Sequence, residues 1–315
     1  MNSRTVDLLE TAMNKRQLLR RHTNAVRLVN GSGDGLKGLV LEQYDRHFVA
    51  HVFDAQWIAQ KDALTNFLKH RCAARYFIMK DRTESGTFSA DDLKITVEIA
   101  EVSSQTIVQE NRLKFAVDLN DTLNSGLFLD MRRNRKLVAG LAKGCKVLNG
   151  FAYTCSFGVY CRAAGALSVV NVDISRKSLA RGRVNYQLNQ LMPAPDEFVS
   201  ADVVRYLKRA LKKDNRFDVI ILDPPSFARY EGKTFSVKKN LAELIDLAIK
   251  VLNPNGNLFI STNLSEMSHD QLTNMIFSAV PKQRIKNIRR LGQDEDFPGS
   301  GRMPESYLAA VLVKL

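Results

Sequence analysis

Residues 217–227 read FDVIILDPPSF: a run of six residues that is apolar but for Asp218, then Asp223-Pro224-Pro225-Ser226-Phe227. A short apolar run with an abrupt break is how a strand buried on both faces of a parallel sheet is written. The two prolines fix φ at about −65° and remove two amide donors, so the strand ends on a stiff ledge. Working outward, apolar and amphipathic stretches alternate. On the amino side lie strand-like 146–149, 168–172 and 197–200, separated by helix-like 157–164 and 175–189, with Ser175 placed as an N-cap. A basic amphipathic helix, 203–213, leads into the quoted strand. On the carboxyl side come a helix over 238–252 closed by Asn253-Pro254-Asn255-Gly256, a strand over 257–261, a helix over 268–280, and strands over 284–290 and 307–313. This alternation predicts a doubly wound α/β sheet.

The first hundred residues read differently. Residues 5–21 carry apolar positions at helical spacing among basic ones, a basic leader helix placed within 1–22. Strands over 25–29, 36–41 and 47–53, a helix over 59–69, and strands over 75–80 and 93–99 make a small α+β module of order β-β-β-α-β-β, bounded at 23–103. The rest, 104–315, is the α/β domain.

Composition narrows the class. The chain has 315 residues, 45% hydrophobic and 25% charged, which excludes a disordered chain. It holds no apolar run of membrane-spanning length and no apolar leader, so the expectation is a cytoplasmic protein without a membrane partner. Four cysteines without ligand spacing and five histidines predict neither a disulfide framework nor a metal site. Lys+Arg 46 against Asp+Glu 33 gives a net charge of +13, which favours a polyanionic partner such as RNA.

A sheet of this kind holds its ligand at the carboxyl ends of its strands. The turn after the first strand, Asn149-Gly150-Phe151-Ala152-Tyr153-Thr154-Cys155, lacks the glycine-rich pyrophosphate fingerprint, so a dinucleotide is disfavoured. Asp173 ends the second strand, where a carboxylate either accepts from a ribose diol or caps the next helix. Asp223, at the head of the diproline ledge, offers an acceptor, and Phe227 a ring on which a base could stack.

On these residues the carboxyl two-thirds resembles class I S-adenosylmethionine (SAM)-dependent methyltransferases of Rossmann-like fold. The whole chain resembles the bacterial 23S rRNA large-subunit methyltransferases that make 5-methylcytosine, and their guanine-N7 relatives. The matching stretches are NAVRLVNGSGDGLKGLVLEQY (24–44), NSGLFLDMRRNR (124–135), VLNGFAYT (147–154), VDIS (172–175), DPPSF (223–227) and residues 296–308. In that family a PUA RNA-binding domain precedes the small module. The sequence starts after that position, so its absence is expected, with the basic leader helix as a substitute. The resemblance implies that Asn149, Phe151, Tyr153 and Thr154 line the methionine end of SAM. Asp173 with Ile174 and Ser175 would hold the ribose, Ala201 and Asp202 the adenine, and Phe128, Asp130 and Arg132 would close the pocket. Cys155, Gly150 and Met131 depart from the family's residues and imply an altered pocket.

The atom methylated follows from chemistry. Cytosine C5 is a poor nucleophile, and enzymes that methylate it first add a thiolate to C6. The family's cytosine-specific members carry that Cys just after the fifth strand; here the stretch reads Ser261-Thr262-Asn263-Leu264-Ser265. Guanine N7 has a free lone pair and needs only positioning. Asn263 either contacts a purine edge or caps the next helix. The expected catalytic group is therefore Asp223, Pro224, Pro225, Phe227 and Asn263. Expected RNA contacts are Arg16, Arg20 and Arg21 of the leader and Arg229, Lys233, Lys238 and Lys239 of a loop over 228–240. Other readings stay open: a C5 enzyme with an unrecognised nucleophile, a methyltransferase for a protein or small molecule, and an inactive RNA-binding factor, as monomer or homodimer.

Overall fold

In the computed structural model we describe residues 1–83, 94–121, 124–230, 233–264, 266–299 and 308–315, with backbone alone at 227–230, 233–235 and 282. Among them no helix is long and apolar enough to cross a membrane. The chain divides into two compact units, Met1–Arg132 with Asp294–Ser306, and Arg133–Gln293 with Tyr307–Leu315.

The first unit starts with α1 (Ser3–Lys15), whose cap, Asn2, accepts the Thr5 N–H. A five-stranded sheet follows in the order β1 (Ala25–Asn30), β2 (Leu39–Tyr44), β3 (His47–Val52), β4 (Tyr76–Asp81), β5 (Lys94–Ala100). Neighbours are antiparallel except β3 and β4, which are parallel and joined through α2 (Ala55–Ala59) and α3 (Lys61–Cys72). Alternation along the strands gives the sheet two faces. Leu28, Leu41, Phe48 and Phe77 join Leu9, Ala12, Trp57, Leu64 and Leu68 in one core. The leader helix is thus part of this core, through the buried Leu9 and Ala12. The other face carries Arg27, Glu42, His51 and Lys80. There Arg27 donates to Glu42 at 2.6 Å, and burial drives the His51 pKa down to about 3.

The unit continues past residue 103. A hairpin, β6 (Gln105–Glu110) and β7 (Leu113–Asp118), turns at Asn111 and Arg112, both at positive φ. The distant segment 294–299 returns to it. Asp296 Oδ2 accepts the Arg27 N–H at 2.9 Å, Pro298 O accepts from Asn30 at 2.9 Å, and the Arg27 guanidinium lies over the Phe297 ring. Gly33 is required at that contact, since a Cβ there would stand 1.9 Å from Pro298 O.

The second unit is the predicted doubly wound sheet. After α4 (Arg132–Ala139), strands β8 (Lys146–Gly150), β9 (Ser168–Asp173), β10 (Phe198–Ser200), β11 (Phe217–Leu222), β14 (Leu252–Thr262), β15 (Asn287–Leu291) and β16 (Ala309–Lys314) pair in the order β10-β9-β8-β11-β14-β16-β15. The first five are parallel, and β16 runs antiparallel to both neighbours. Helices α5 (Ser156–Ala163), α6 (Arg176–Leu188), α7 (Val203–Lys212), α8 (Val237–Val251) and α9 (His269–Ala279) connect them. Ser175 caps α6 by accepting the Ser178 N–H. The strand order reverses between β8 and β11, so the switch point lies between Gly150 and Leu222, where the diproline ledge begins. Residues 227–230 and 233–236 are strand where a loop was expected: β12 (Phe227–Tyr230) pairs antiparallel with β13 (Lys233–Ser236), before α8 starts at Val237. Residues 253–256 interrupt the β11–β14 ladder, whose register jumps from Phe217↔Leu252 to Val219↔Asn257.

Candidate functional site

At the carboxyl edge of the second unit's sheet, β8 delivers Asn149 into a buried polar chain. Its amide donates to Asn171 Oδ1 at 2.9 Å, and the Asn171 amide donates to the Tyr186 hydroxyl at 3.0 Å. Buried amides must pair, and this pairing spends one of Asn149's two amide N–H groups on the strand beside it. Gly158 makes the room, since a Cβ there would lie 2.2 Å from Asn171 Oδ1 and 2.7 Å from the Tyr186 oxygen. Gly150 is a close approach too: its Cβ would stand 3.0 Å from both Leu222 and Val203 side chains, so a bulkier residue there requires those side chains to shift.

The loop beyond takes an unusual backbone. Phe151, Tyr153 and Cys155 all have left-handed φ, at 57°, 48° and 60°. The conformation is held from outside. Ala152 N–H donates to Val172 O, Tyr153 N–H to Asp173 Oδ2 at 2.8 Å, and the Asn185 amide to Thr154 O at 2.9 Å. Cys155 is fully buried, and Gly182 yields it space.

Asp173 takes one N–H on each oxygen, from Tyr153 and from Ser175, both at 2.8 Å. Burial raises its pKa, and those two backbone hydrogen bonds oppose the rise. A carboxylate has about four acceptor positions, so two remain for a vicinal diol. Its backbone oxygen accepts from Ala201 N–H, which sets β10's end beside it. Asp202 caps α7 through Arg205 N–H at 2.7 Å, spending one oxygen and leaving the other for an amino group. This donor set fits an adenosyl ligand: a carboxylate for the ribose, an acceptor for the adenine amine, and a loop bearing Phe151 and Tyr153.

The ledge adds a second group. Ser261 donates to Asp223 Oδ1 at 2.7 Å, and Ser226 donates to Asn263 Oδ1 at 2.6 Å. Asn263 is not the cap of the next helix, because Ser268 holds that place with a capping box to Gln271. Its exposed amide NH₂ has no partner among the described residues. Pro224 is buried and Pro225 exposed, while the Phe227 side chain lies outside the described residues.

No cysteine takes up a nucleophile's place there. Cys155 and Cys161 are buried, and burial pushes the Cys161 thiol up to about 12. Cys145 precedes β8 at the opposite edge of the sheet. Cys72 closes α3 in the other unit, its thiol pushed up to about 11 by burial.

Two residues expected at the cofactor and the RNA are buried in ion pairs of the first unit. Arg132 is turned inward, 2% exposed: its two terminal nitrogens donate to Asp296 at 3.0 and 3.2 Å, to Asp294 at 3.1 Å and to Ala25 O at 2.8 Å. Burial would lower its pKa, but Asp296 and then Glu110 raise it. Arg16 is equally unavailable to RNA, donating to both Asp34 oxygens at 2.7 and 2.6 Å and to Asp296 O. Arg20 and Arg21 are exposed, as is Phe128, and Asp130 is half-buried. In the second unit Lys239 is exposed and Lys238 pairs with Glu266, while the Arg229 and Lys233 side chains lie outside the described residues. Sequence reasoning passed over Asn171, Tyr186, Asn185, Ser226 and Ser261. Only Asn171 left a signal, an amide in the middle of an apolar strand.

Residues 88–314 match the family of S-adenosylmethionine-dependent methyltransferases. Over 298 residues the chain is 34% identical to YwbD of Bacillus subtilis (strain 168), a provisionally named ribosomal RNA large subunit methyltransferase, covering 93% of this chain and 75% of that protein. It is 30% identical to ribosomal RNA large subunit methyltransferase I of Photobacterium profundum, covering 89% and 72%. The crystal structure of SMU.776 in complex with SAH superposes with a TM-score of 0.88 at 28% identity, over 98% of this chain and 80% of that one. The tRNA m1G37 methyltransferase of M. jannaschii, at 12% identity and a TM-score of 0.58 over 96% and 77%, shares the fold. With a matched span that takes in the diproline ledge, the Asp173 carboxylate and the whole doubly wound sheet, the chain belongs to the S-adenosylmethionine-dependent methyltransferases.

Proposed function

We propose that this methyltransferase acts on a base of large-subunit (23S) ribosomal RNA, by direct non-covalent transfer to a guanine nitrogen, N7 in preference to cytosine C5. The RNA substrate is supported by the names its relatives carry and by the net charge of +13. SAM supplies an electrophilic methyl on a sulfonium. The protein's part is to hold and orient. Asn149, Phe151, Tyr153 and Thr154 surround the methionine end, Asp173, Ile174 and Ser175 the ribose, and Ala201 and Asp202 the adenine. Asp223, Pro224, Pro225 and Phe227 form the platform for the base, and Asn263 offers its amide to the purine edge. Arg20, Arg21, Arg229, Lys233, Lys238 and Lys239 meet the RNA backbone.

One observation carries the choice of atom. The position after β14 is occupied by Asn263, anchored by Ser226, and of the second unit's three cysteines Cys155 and Cys161 are buried and Cys145 precedes β8 at the opposite edge of the sheet. C5 methylation needs a thiolate added to C6, whereas N7 needs no proton removed and no covalent activation. The test is incubation of 23S rRNA with the protein and methyl-labelled SAM, followed by nucleoside mass spectrometry. Labelled 7-methylguanosine is the expected product. Labelled 5-methylcytosine refutes the choice of atom, and an unlabelled RNA refutes the substrate.

A further inference from the structure

We propose that the outward face of α7 is a docking strip for the phosphate backbone of the RNA, remote from the methylated base; this rests on the RNA reading above. The inward side of the helix is apolar, burying Val203, Tyr206, Leu207 and Ala210. The outward side is of one sign. Arg205, Lys208, Arg209, Lys212 and Lys213 are all exposed, and no acidic residue occurs between 203 and 213.

Such a face works against its own helix. Arg205 and Arg209, Lys208 and Lys212, and Arg209 and Lys213 are each four residues apart, and like charges at that spacing destabilise a helix. The neighbouring helix α8 avoids this by mixing signs. Its Lys250 pairs with Asp246 four residues earlier, and its Glu243 pairs with Lys208 of α7. Among the described residues, Arg205, Arg209, Lys212 and Lys213 have no ion-pair partner. Solubility alone would be served by alternating charges. A single-sign strip that keeps its repulsion is complementary to a polyanion, because each phosphate met by a cation releases condensed counterions.

Geometry favours a nucleic-acid strand over a small anion. From Arg205 to Lys212 the strip runs about 10 Å along the helix axis, and it ends at Asp214, which pairs with Arg216 at 2.8 Å. The guanidinium of Arg209 lies over the Tyr206 ring at 5.3 Å, which holds one cation in place. The helix starts at Asp202, at the carboxyl end of β10, and runs back towards the start of β11. A strand laid along it therefore leads away from the edge that carries Asp173 and Asp223. Across the same short edge strand, α6 exposes Arg176, Lys177 and Arg183, with Arg183 over the Phe198 ring at 4.3 Å.

The test replaces Arg205, Arg209, Lys212 and Lys213 together by Gln, which keeps helix propensity and removes four charges. A control replaces Lys143, Lys146, Lys286 and Lys314, equally exposed and spread over the same unit, by Gln. Binding of full-length 23S rRNA is titrated at several salt concentrations. The expected result is a plot of log affinity against log salt shallower by about 3, and affinity at 0.1 M salt weaker on the order of 100-fold. The control should lose far less, and SAM affinity by calorimetry and kcat at saturating RNA should stay unchanged. Equal losses in both variants would mean a general field and overturn the strip. A loss of SAM affinity would mean that α7 only shapes the cofactor site, and would also overturn it. So would unchanged RNA binding with lost binding to whole large subunits, which points to an acidic protein partner. The two readings fail separately: wild-type protein that binds RNA with the steep slope yet transfers no methyl to it defeats the base-methylation reading alone.

Discussion

Replacing Arg132 by Met tests whether the ion cluster of the first unit joins residues 294–299 to its sheet. The guanidinium gives four hydrogen bonds of 2.8–3.2 Å, to Asp296 twice, Asp294 and Ala25 O, and its Nε stands 3.4 Å from Glu110 Oε2. Asp296 and Glu110 are both fully buried. Removing one partner of a buried pair costs about 3–5 kcal/mol, because the other charge is left without compensation. The low end applies here, since Asp296 keeps the Arg27 N–H at 2.9 Å. With a urea m-value of about 2 kcal/mol/M, a loss of about 3 kcal/mol moves the unfolding midpoint down by about 1.5 M. The assay is built into the sequence: Trp57 is the chain's one tryptophan, 2% exposed, with its indole N–H on Lys37 O at 2.9 Å, so its fluorescence reports the unit that holds Arg132. Arg132→Lys keeps the charge but not the fork, and is expected to lose about half as much. A midpoint for Arg132→Met within about 0.3 M of wild type would refute the cluster's role.

Asp173 sets a pH dependence. Its pKa is raised by burial, so its charge is lost as pH falls through a value above that of an ordinary aspartate, and the neutral form gives up acceptor capacity needed by the ribose. SAM affinity, measured by calorimetry, is expected to weaken about tenfold per pH unit below that point, and in Asp173→Asn to be weak and flat with pH. The sign for stability is the reverse: a raised carboxylate pKa means that ionising Asp173 costs the free protein stability, and acidification through that pKa relieves the cost. Gly158→Ala should lower stability by about 1–3 kcal/mol through overpacking, seen as an earlier circular-dichroism melt, because its Cβ meets Asn171 and Tyr186; an unchanged melt would show that the amide chain is not close-packed. Asn263→Ala is expected to cut kcat about 10- to 100-fold on RNA with SAM affinity intact, and full activity would remove Asn263 from the site.

What was readable in the sequence was whatever one element decides alone. The run at 217–222 is the observed β11, and Ser175 caps α6 as its spacing suggests, because burial and capping leave local marks. The β6–β7 hairpin escaped notice because its turn is made by Asn111 and Arg112 at positive φ, without the glycine that announces such turns. Arg16 and Arg132 show a different limit. Neither a count of charges nor a family resemblance says where a guanidinium finds its partners: Arg16 meets Asp34 eighteen positions on, and Arg132 meets Asp296, 164 positions on. Only the folded chain brings those carboxylates close, and with them the segment that extends the first unit beyond residue 103.

The cofactor loop is the extreme case. Nothing in Phe151-Ala152-Tyr153-Thr154-Cys155 marks three left-handed residues, and each costs about 1–2 kcal/mol over the ordinary backbone. Glycine at those positions would relieve the strain, so its absence has to be made up elsewhere. The hydrogen bonds from Ala152, Tyr153 and Asn185 supply part of it, and the packing of Cys155 into the space left by Gly182 supplies more. Glycines would also lose the two rings that this backbone carries beside Asp173. The loop is thus held in a costly shape by residues of β9 and α6, twenty to thirty positions away, and its geometry is written in Asn185 and Gly182 rather than in the loop itself.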